Sequence, residues 1–451
     1  MAHHKFAPGP PVHLLFGSTR DIRHDPLRFG LEMARHYGDI VRIRLLFWPA
    51  YLVYHPDGVK HVLQENQRNY HKDLYPYRTL KPLLGQGLVT NDGESWLQQR
   101  RLMQPAFHRK RLAAFGTLMT DATVSMLEQW QRFAERDQPL DVAAEMLRLT
   151  LRIAGQALFN IDLSDESRTV GQAVATVNKL LSEYLSAPFP PLSIPTPRSR
   201  RLQAARRTLD QVVHDIIVQR RQQHADTGDL LSMLLLTCDE ATDQGMNERQ
   251  VRDEVMTLLI AGHETVATAL IWSWYLLSQH PEVERRLHSE LDEVLSGHLP
   301  TVDHLNRLSY TRMVIEEVLR LYPPAWVFGR KAIADDEIGG YFIPASSMIV
   351  LSPYITHRHP AFWKHPEAFD PERFAPVQAA GRPHYAYFPF GGGPRICIGN
   401  NFALMEMQLV LATLSQHYQL RLVPGHPVEP EALLSLRPRA GLPMTLQHTS
   451  I

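Results

Sequence analysis

The sequence predicts a mainly helical, enzyme-sized unit with a smaller β-rich portion, on three observations. Apolar residues recur at helical spacing from 93 to about 221 and again from 247 to 321. After Pro323-Pro324 the texture changes to short strand-like runs at 325–334, 341–343 and 348–351. No internal repeat, low-complexity tract or clear linker divides the 451 residues. The chain therefore reads as a single domain over 1–451, its strands mainly in 40–70, 325–352 and 418–448.

Taken in order, 25–37 has helical spacing and Gly38-Asp39 ends it. Residues 40–46 and 51–54 read as strands of a hairpin turning at Trp48-Pro49, and 56–67 returns to helix. Residues 72–90, with Pro76, Pro82, Gly85 and Gly87, are expected to form a long irregular loop. Five prolines in 187–197 stop any helix there; a lid over a site and a stiff linker are equal readings of that stretch. Asn247, followed by Glu-Arg-Gln, has the pattern of a helix cap and opens a long helix running to about Gln279. Helices follow at 282–295, 310–321 and 400–414, and the segment after Tyr418 alternates in short strands and turns.

Acidic and basic side chains number 47 each, which gives no bulk attraction to nucleic acid or to an anionic membrane. The only two cysteines, Cys238 and Cys397, exclude a disulfide framework, and a reducing cytosol suits them. Residues 1–11 are polar and proline-rich, with no signal peptide or anchor pattern. The most apolar later stretch, 255–277, is interrupted by His263 and Glu264, so a soluble cytoplasmic protein without a membrane anchor is expected.

Chemistry concentrates in four places. Phe388-Pro389-Phe390-Gly391-Gly392-Gly393-Pro394-Arg395-Ile396-Cys397-Ile398-Gly399 sets a cysteine at the end of a glycine-rich turn, just before a helix. Three glycines let the backbone run close to a flat partner, and free amides at a helix start stabilise a thiolate. An iron-ligand loop and an ordinary buried cysteine both fit. In the long helix, Ala261-Gly262-His263-Glu264-Thr265 follows a small-small pair with a carboxylate and a hydroxyl. That pair suits proton relay beside a flat ligand; the plainer reading is a polar stripe with His263 facing water. Ala267 stands where a zinc protease motif needs histidine. Glu317 and Arg320 share a helix face, and Arg373 is placed to complete a buried Glu–Arg–Arg cluster. Trp96 and Arg100 put two donors on one helix face, suited to a carboxylate at a cofactor's edge.

Together these segments resemble the cytochrome P450 haem-thiolate family. Trp96-xxx-Arg100, Ala261-Gly-His-Glu-Thr265, Glu317-xx-Arg320, Pro371-Glu-Arg-Phe374 and Phe390-xx-Gly-x-Arg-x-Cys-x-Gly399 occur in the family's order. The resemblance spans nearly the whole chain and is weakest over 160–247. Within the family, the soluble bacterial type is closest in texture. Ala261-Gly-His-Glu-Thr-Val-Ala267, Arg320-Leu-Tyr-Pro-Pro-Ala-Trp326 and Leu436-Arg-Pro438 are similar to thermophilic carotenoid hydroxylases.

The resemblance implies a P450 fold, with heme b between the long central helix and the cysteine loop and Cys397 as iron ligand. Lys72, Trp96, Arg100, Arg330 and Arg395 match positions that hold the haem propionates. Ala261, Pro389, Phe390 and Gly399 match residues that pack on the cofactor or its sulfur. Glu264 and Thr265 match the distal acid–alcohol pair, although Val266 stands where many relatives add a second hydroxyl. Leu258, Ala261, Ala325, Trp326, Val327, Phe328 and Leu442, with the wider 439–444 stretch, match the substrate pocket. Trp326 and Phe328 read equally as packing residues.

The implied activity is hydroxylation of a lipophilic terpenoid, carotenoid or fatty-acid-like substrate with dioxygen. Electrons would come from a separate ferredoxin or flavodoxin, since the sequence holds no GxGxxG fingerprint or flavin domain. His108-Arg-Lys-Arg111 is a candidate docking run or an ordinary solvated turn. The alternative is a peroxide-driven hydroxylase or another non-monooxygenase haem protein, against which the Glu264–Thr265 pair counts.

Overall fold

The computed structural model describes residues 5–11, 17–45, 48–161, 167–186, 194–223, 229–236 and 245–449. Everything in it is arranged around the central helix Glu248–Gln279. The expected cap forms in both directions: Gln250 N donates to Asn247 Oδ1 at 3.0 Å, and Asn247 N donates to Gln250 Oε1 at 2.9 Å. Among the described residues this is the one helix long and apolar enough to cross a membrane, but 78% of its most apolar window is buried inside the protein. Its apolar residues cover every face, so it needs neighbours on every side. Those neighbours include Val142–Phe159, Ser309–Leu321 and Asn400–Ser415. The main core fills the space between them.

A five-stranded sheet flanks this helical body. Its order is Ile40–Leu45, Trp48–Val53, Met348–Leu351, Phe328–Ala332, Tyr70–His71, with only the second and third strands parallel. Trp48 pairs with Leu45, so Trp48-Pro49 begin the second strand and do not form the turn. Pro49 is tolerated because the neighbouring strand Met348–Leu351 pairs only from Ala50 onward. The expected β-rich block at 40–70 is only half strand. Residues 56–69 coil as Pro56–Lys60, a wider turn at His61–Glu65 and a tight one at Gln67–Asn69. A second small sheet joins Leu140–Asp141, Pro443–His448 and Tyr418–Leu422.

Two departures matter for the site. The stretch 72–90 is not a plain loop, since Tyr75–Leu84 is helical. Pro76 sits in its first turn, where a missing N–H has no helical partner, and Gly85 ends it at φ +57°. Near the C-terminus, Pro430–Ala432 and Leu436–Pro438 pair as a hairpin. Its tip is held from several sides: Trp326 Nε1 donates to Leu433 O at 2.8 Å, Leu434 N to Ser182 Oγ at 2.9 Å, and Trp272 Nε1 to Leu436 O at 2.7 Å.

Candidate active site

The cysteine loop is built by backbone constraints before any side chain acts. Gly391 and Gly393 have φ of +72° and +61°, the left-handed region that a Cβ disfavours. A Cβ at Gly393 would lie 1.8 Å from Leu63 O, and one at Gly392 would lie 2.3 Å from the Tyr385 ring. The glycines therefore serve the turn and its packing on the protein behind it, a more local reason than approach to a flat partner. Cys397 N donates to Phe390 O at 2.9 Å and closes the loop. Gly399 then starts the helix Asn400–Ser415. Protein surrounds Cys397 on all sides, yet the residue keeps open surface, so its sulfur fronts an interior space. Burial pushes its thiol pKa up, while the Gly399 amide and the Arg100 guanidinium oppose that rise.

Behind the loop the expected charge cluster is present. Arg320 grips Glu317 through two bonds of 2.6 and 2.8 Å, and both side chains are fully buried. Arg373 Nε stands 3.3 Å from Glu317 Oε1, and Asp370 N donates to the same oxygen at 2.9 Å. The remaining Arg320 donors reach the carbonyls of His357, Pro366 and Ala368. His357, which the sequence reading missed, ties this cluster to the cysteine loop. Its Nε2 accepts from Phe388 N at 2.9 Å, and its Nδ1 lies 3.3 Å from Arg320 O. Burial, with Arg320 close by, holds its pKa well below the usual imidazole range. The neutral ring can thus accept at one nitrogen and donate at the other.

A second group of charges is not balanced. Arg330, Arg395 and Arg100 all lie near enough to Lys72 to disfavour its charge, and burial adds the largest effect. Asp92 acts against them there; it accepts from Lys72 N at 2.5 Å and pairs with Arg395. Lys72 Nζ also reaches the carbonyls of Val89 at 2.9 Å and Leu88 at 3.4 Å and lies 5.7 Å from the centre of the Tyr77 ring. Arg395 stacks 4.0 Å over the Trp96 ring, Arg100 donates to Ile396 O, and Arg330 donates to Gly329 O and Tyr77 Oη. Five residues expected from separate segments thus come together. Asp92 and Tyr77 join them without having been foreseen.

On the central helix, Ala261 is exposed and Thr265 half-exposed, while Leu258, Leu259, His263, Glu264 and Val266 are buried. The helix runs unbroken here; Thr265 Oγ1 donates back to Ala261 O at 2.9 Å. His263 does not face water. It is buried, bonds to Leu259 O at 2.7 Å, and has its pKa pushed down to about 4 by desolvation. Glu264 is held by Asn178 of the helix Ser167–Ser186 and by Ser435 at 2.7 Å. Burial raises its pKa, with Ser435 and Arg437 opposing.

The pocket expectation needs correction at its C-terminal part. Leu442 is fully buried in the main core, its N donating to Asp141 Oδ1 at 2.9 Å, and Arg439 is exposed in a pair with Glu429. At the hairpin tip Leu433 and Leu434 are half-buried, and Leu433 O accepts from Trp326 in the 325–328 segment, which also keeps open surface. Trp326 anchors that tip, and Phe328 packs edge-on to Phe388 at 6.1 Å, so both aromatics also pack. Cys238 and most of the 187–197 segment lie outside the described residues. So do the side chains of Arg109 and Lys110; His108 and Arg111 beside them are exposed.

The sequence model of the family described as Cytochrome P450 matches residues 7–442. The chain belongs to the cytochrome P450 family. This P450 is 38% identical to cyclooctatin synthase of Streptomyces melanosporofaciens, over 96% of its own length and 93% of the relative's. It is 39% identical to cyclooctat-9-en-7-ol 5-monooxygenase of the same organism, over 91% and 88%. Among solved structures it resembles the cytochrome P450DA heme domain, with TM-score 0.91, 28% identity, and 99% and 98% of the two chains covered. The fold is the P450 fold, and the protein is a P450 monooxygenase.

Haem iron, which the family implies, is chemically suited to this site. An iron porphyrin carries two carboxylates and would take a protein donor on its iron. The surplus of cations around Lys72 and the interior-facing sulfur of Cys397 are what such a molecule would complete. A bound cation would also replace the proton that burial otherwise keeps on the thiol.

Proposed function

We propose that this P450, acting as one domain over 1–451, hydroxylates a lipophilic terpenoid-like substrate with dioxygen. Electrons would come from a separate ferredoxin- or flavodoxin-type donor. The observation that carries the reading is open surface at Ala261 and Thr265 in the middle of a largely buried helix, together with open surface at Cys397. When bound, haem, as heme b, supplies dioxygen activation through a thiolate-ligated iron. Cys397 would hold the iron. Lys72, Trp96, Arg100, Arg330 and Arg395 would hold the carboxylate edge, and Pro389, Phe390 and Gly399 would shape the sulfur side. Ala261, small and with open surface, would leave room beside the haem. Thr265 Oγ1 spends its proton on Ala261 O, so its lone pairs are free to accept from the interior. Glu264 beside it keeps a proton into a higher pH range than an exposed carboxyl would.

The names of the two relatives support the substrate class: one makes cyclooctatin and the other oxidises a cyclic unsaturated alcohol. The apolar surroundings of Leu258, Ala325, Val327 and Leu433 suit such a molecule. Thr265→Ala is the test. The variant should keep its cofactor, yet product formed per reducing equivalent should fall by about tenfold or more while peroxide accumulates. Unchanged coupling would sink the proton-handling role of the pair.

A further inference from the structure

Both hydrogen bonds that reach the Glu264 carboxyl end on the same oxygen. The Asn178 side-chain amide donates to Oε1, and so does Ser435 Oγ. The orientation of Asn178 is set independently: its Oδ1 accepts from Ser182 Oγ, one turn along the same helix, at 3.4 Å. Its NH2 is therefore the end turned toward Glu264. An oxygen accepting from two donors has both lone pairs occupied and carries no proton of its own. Oε2 has no hydrogen-bond partner among the described residues, and the residue is not sealed, being 7% exposed.

We infer that Asn178 and Ser435 are positioning residues that keep Oε1 an acceptor and confine the exchangeable proton of Glu264 to Oε2. This rests on the reading of Glu264 and Thr265 as the proton-handling pair. The two holders come from different elements, the helix Ser167–Ser186 and the hairpin tip, which are themselves joined by Leu434 N donating to Ser182 Oγ at 2.9 Å. Proton placement on the central helix therefore depends on how these two elements pack against it. Few other charges bear on Glu264. Among the described residues Arg437 is the charged group acting on it, and is itself 3.5 Å from Glu431. His263, the titratable neighbour on the central helix, is buried and bonded to Leu259 O. On the Ser167–Ser186 helix, Lys179 is exposed and Glu183 pairs with Arg198.

The test uses the holoenzyme and the variants Ser435→Ala, Asn178→Ala and Asn178→Asp, with Glu264→Gln as reference. Infrared difference spectra between acid and alkaline pH read the protonated carboxyl stretch of Glu264, identified by its loss in E264Q. The pH profile of product per reducing equivalent is read alongside. Each alanine variant removes a donor to the ionised carboxyl, so the Glu264 titration and the profile should both move up by about one pH unit. Asn178→Asp should move them further, because it replaces a donor with a negative charge. A band and profile unmoved in all three variants, with E264Q uncoupled, would overturn the inference and leave the pair intact. If E264Q keeps its coupling, the pair reading fails instead, and the band shift still decides whether Asn178 and Ser435 hold the carboxyl. Ser435→Ala deletes one oxygen and keeps the test open should the Asn178 variants not fold.

Discussion

This P450 holds two buried clusters of charge, and they differ in whether the protein completes them. Around Glu317, two arginines and a backbone amide satisfy one carboxylate, and the spare donors of Arg320 end on carbonyls. Around Lys72, three arginines meet the carboxylate of Asp92 and, at the edge, Glu254, a carboxyl whose pKa burial raises to about 8. The first cluster is finished by folding. The second keeps a positive surplus that burial makes costly, the expected state of a site whose last member is a ligand.

Breaking the finished cluster should have the largest effect. Glu317→Gln leaves Arg320 buried without its carboxylate, at a cost of about 3–5 kcal/mol. Denaturant midpoints and retained cofactor should fall together; a loss within about 1 kcal/mol would place the cluster among weak surface pairs.

At the edge of the unfinished cluster, Glu254 is fully buried, with Oε2 accepting from Leu88 N at 3.0 Å and Oε1 without a partner among the described residues. Burial raises its pKa to about 8 from an ordinary 4.5. Because the folded chain holds this proton more tightly than the unfolded one, the stability it brings is complete below about pH 4.5. That stability is lost as pH rises toward about 8. Glu254→Gln removes the slope, so it should gain on the order of 2–4 kcal/mol over the parent at about pH 8 and little at about pH 5. Urea midpoints of both proteins at the two pH values check this, and parallel pH dependence would refute it.

Arg330→Met should give a smaller effect with opposite signs in two measurements. Relief of repulsion on Lys72 should stabilise the cofactor-free chain by about 1 kcal/mol, while haem leaves the loaded protein roughly tenfold faster. Apo-protein melting and haem transfer to an acceptor protein read the two separately. A fall in both would mean that Arg330 is scaffold, like Arg320.

The parts legible in the sequence were those whose physics is local. Asn247 and Gln250 lie three apart and cap a helix wherever it packs. Glu317 and Arg320 share a helix face by spacing alone, and the glycines before Cys397 announce a turn. Leu442 was misplaced because an apolar residue near a chain end reads alike in a pocket and in a core; only its bond to Asp141 separates the two. His357 and Asn178 carried no signal, since their partners lie 31 and 86 residues away.

The sequence by itself determined the family, the glycine turn before Cys397 and the long capped helix. Each rests on contacts within a few residues or on motifs kept in order. Tertiary structure alone decided that one charge cluster closes on itself while the other stays open. It also decided that a hairpin tip packs against Trp326 and the Ser167–Ser186 helix, and that Glu264 is held through a single oxygen. Those outcomes depend on how distant elements pack, because burial and the count of available partners are set by neighbours that no local pattern names.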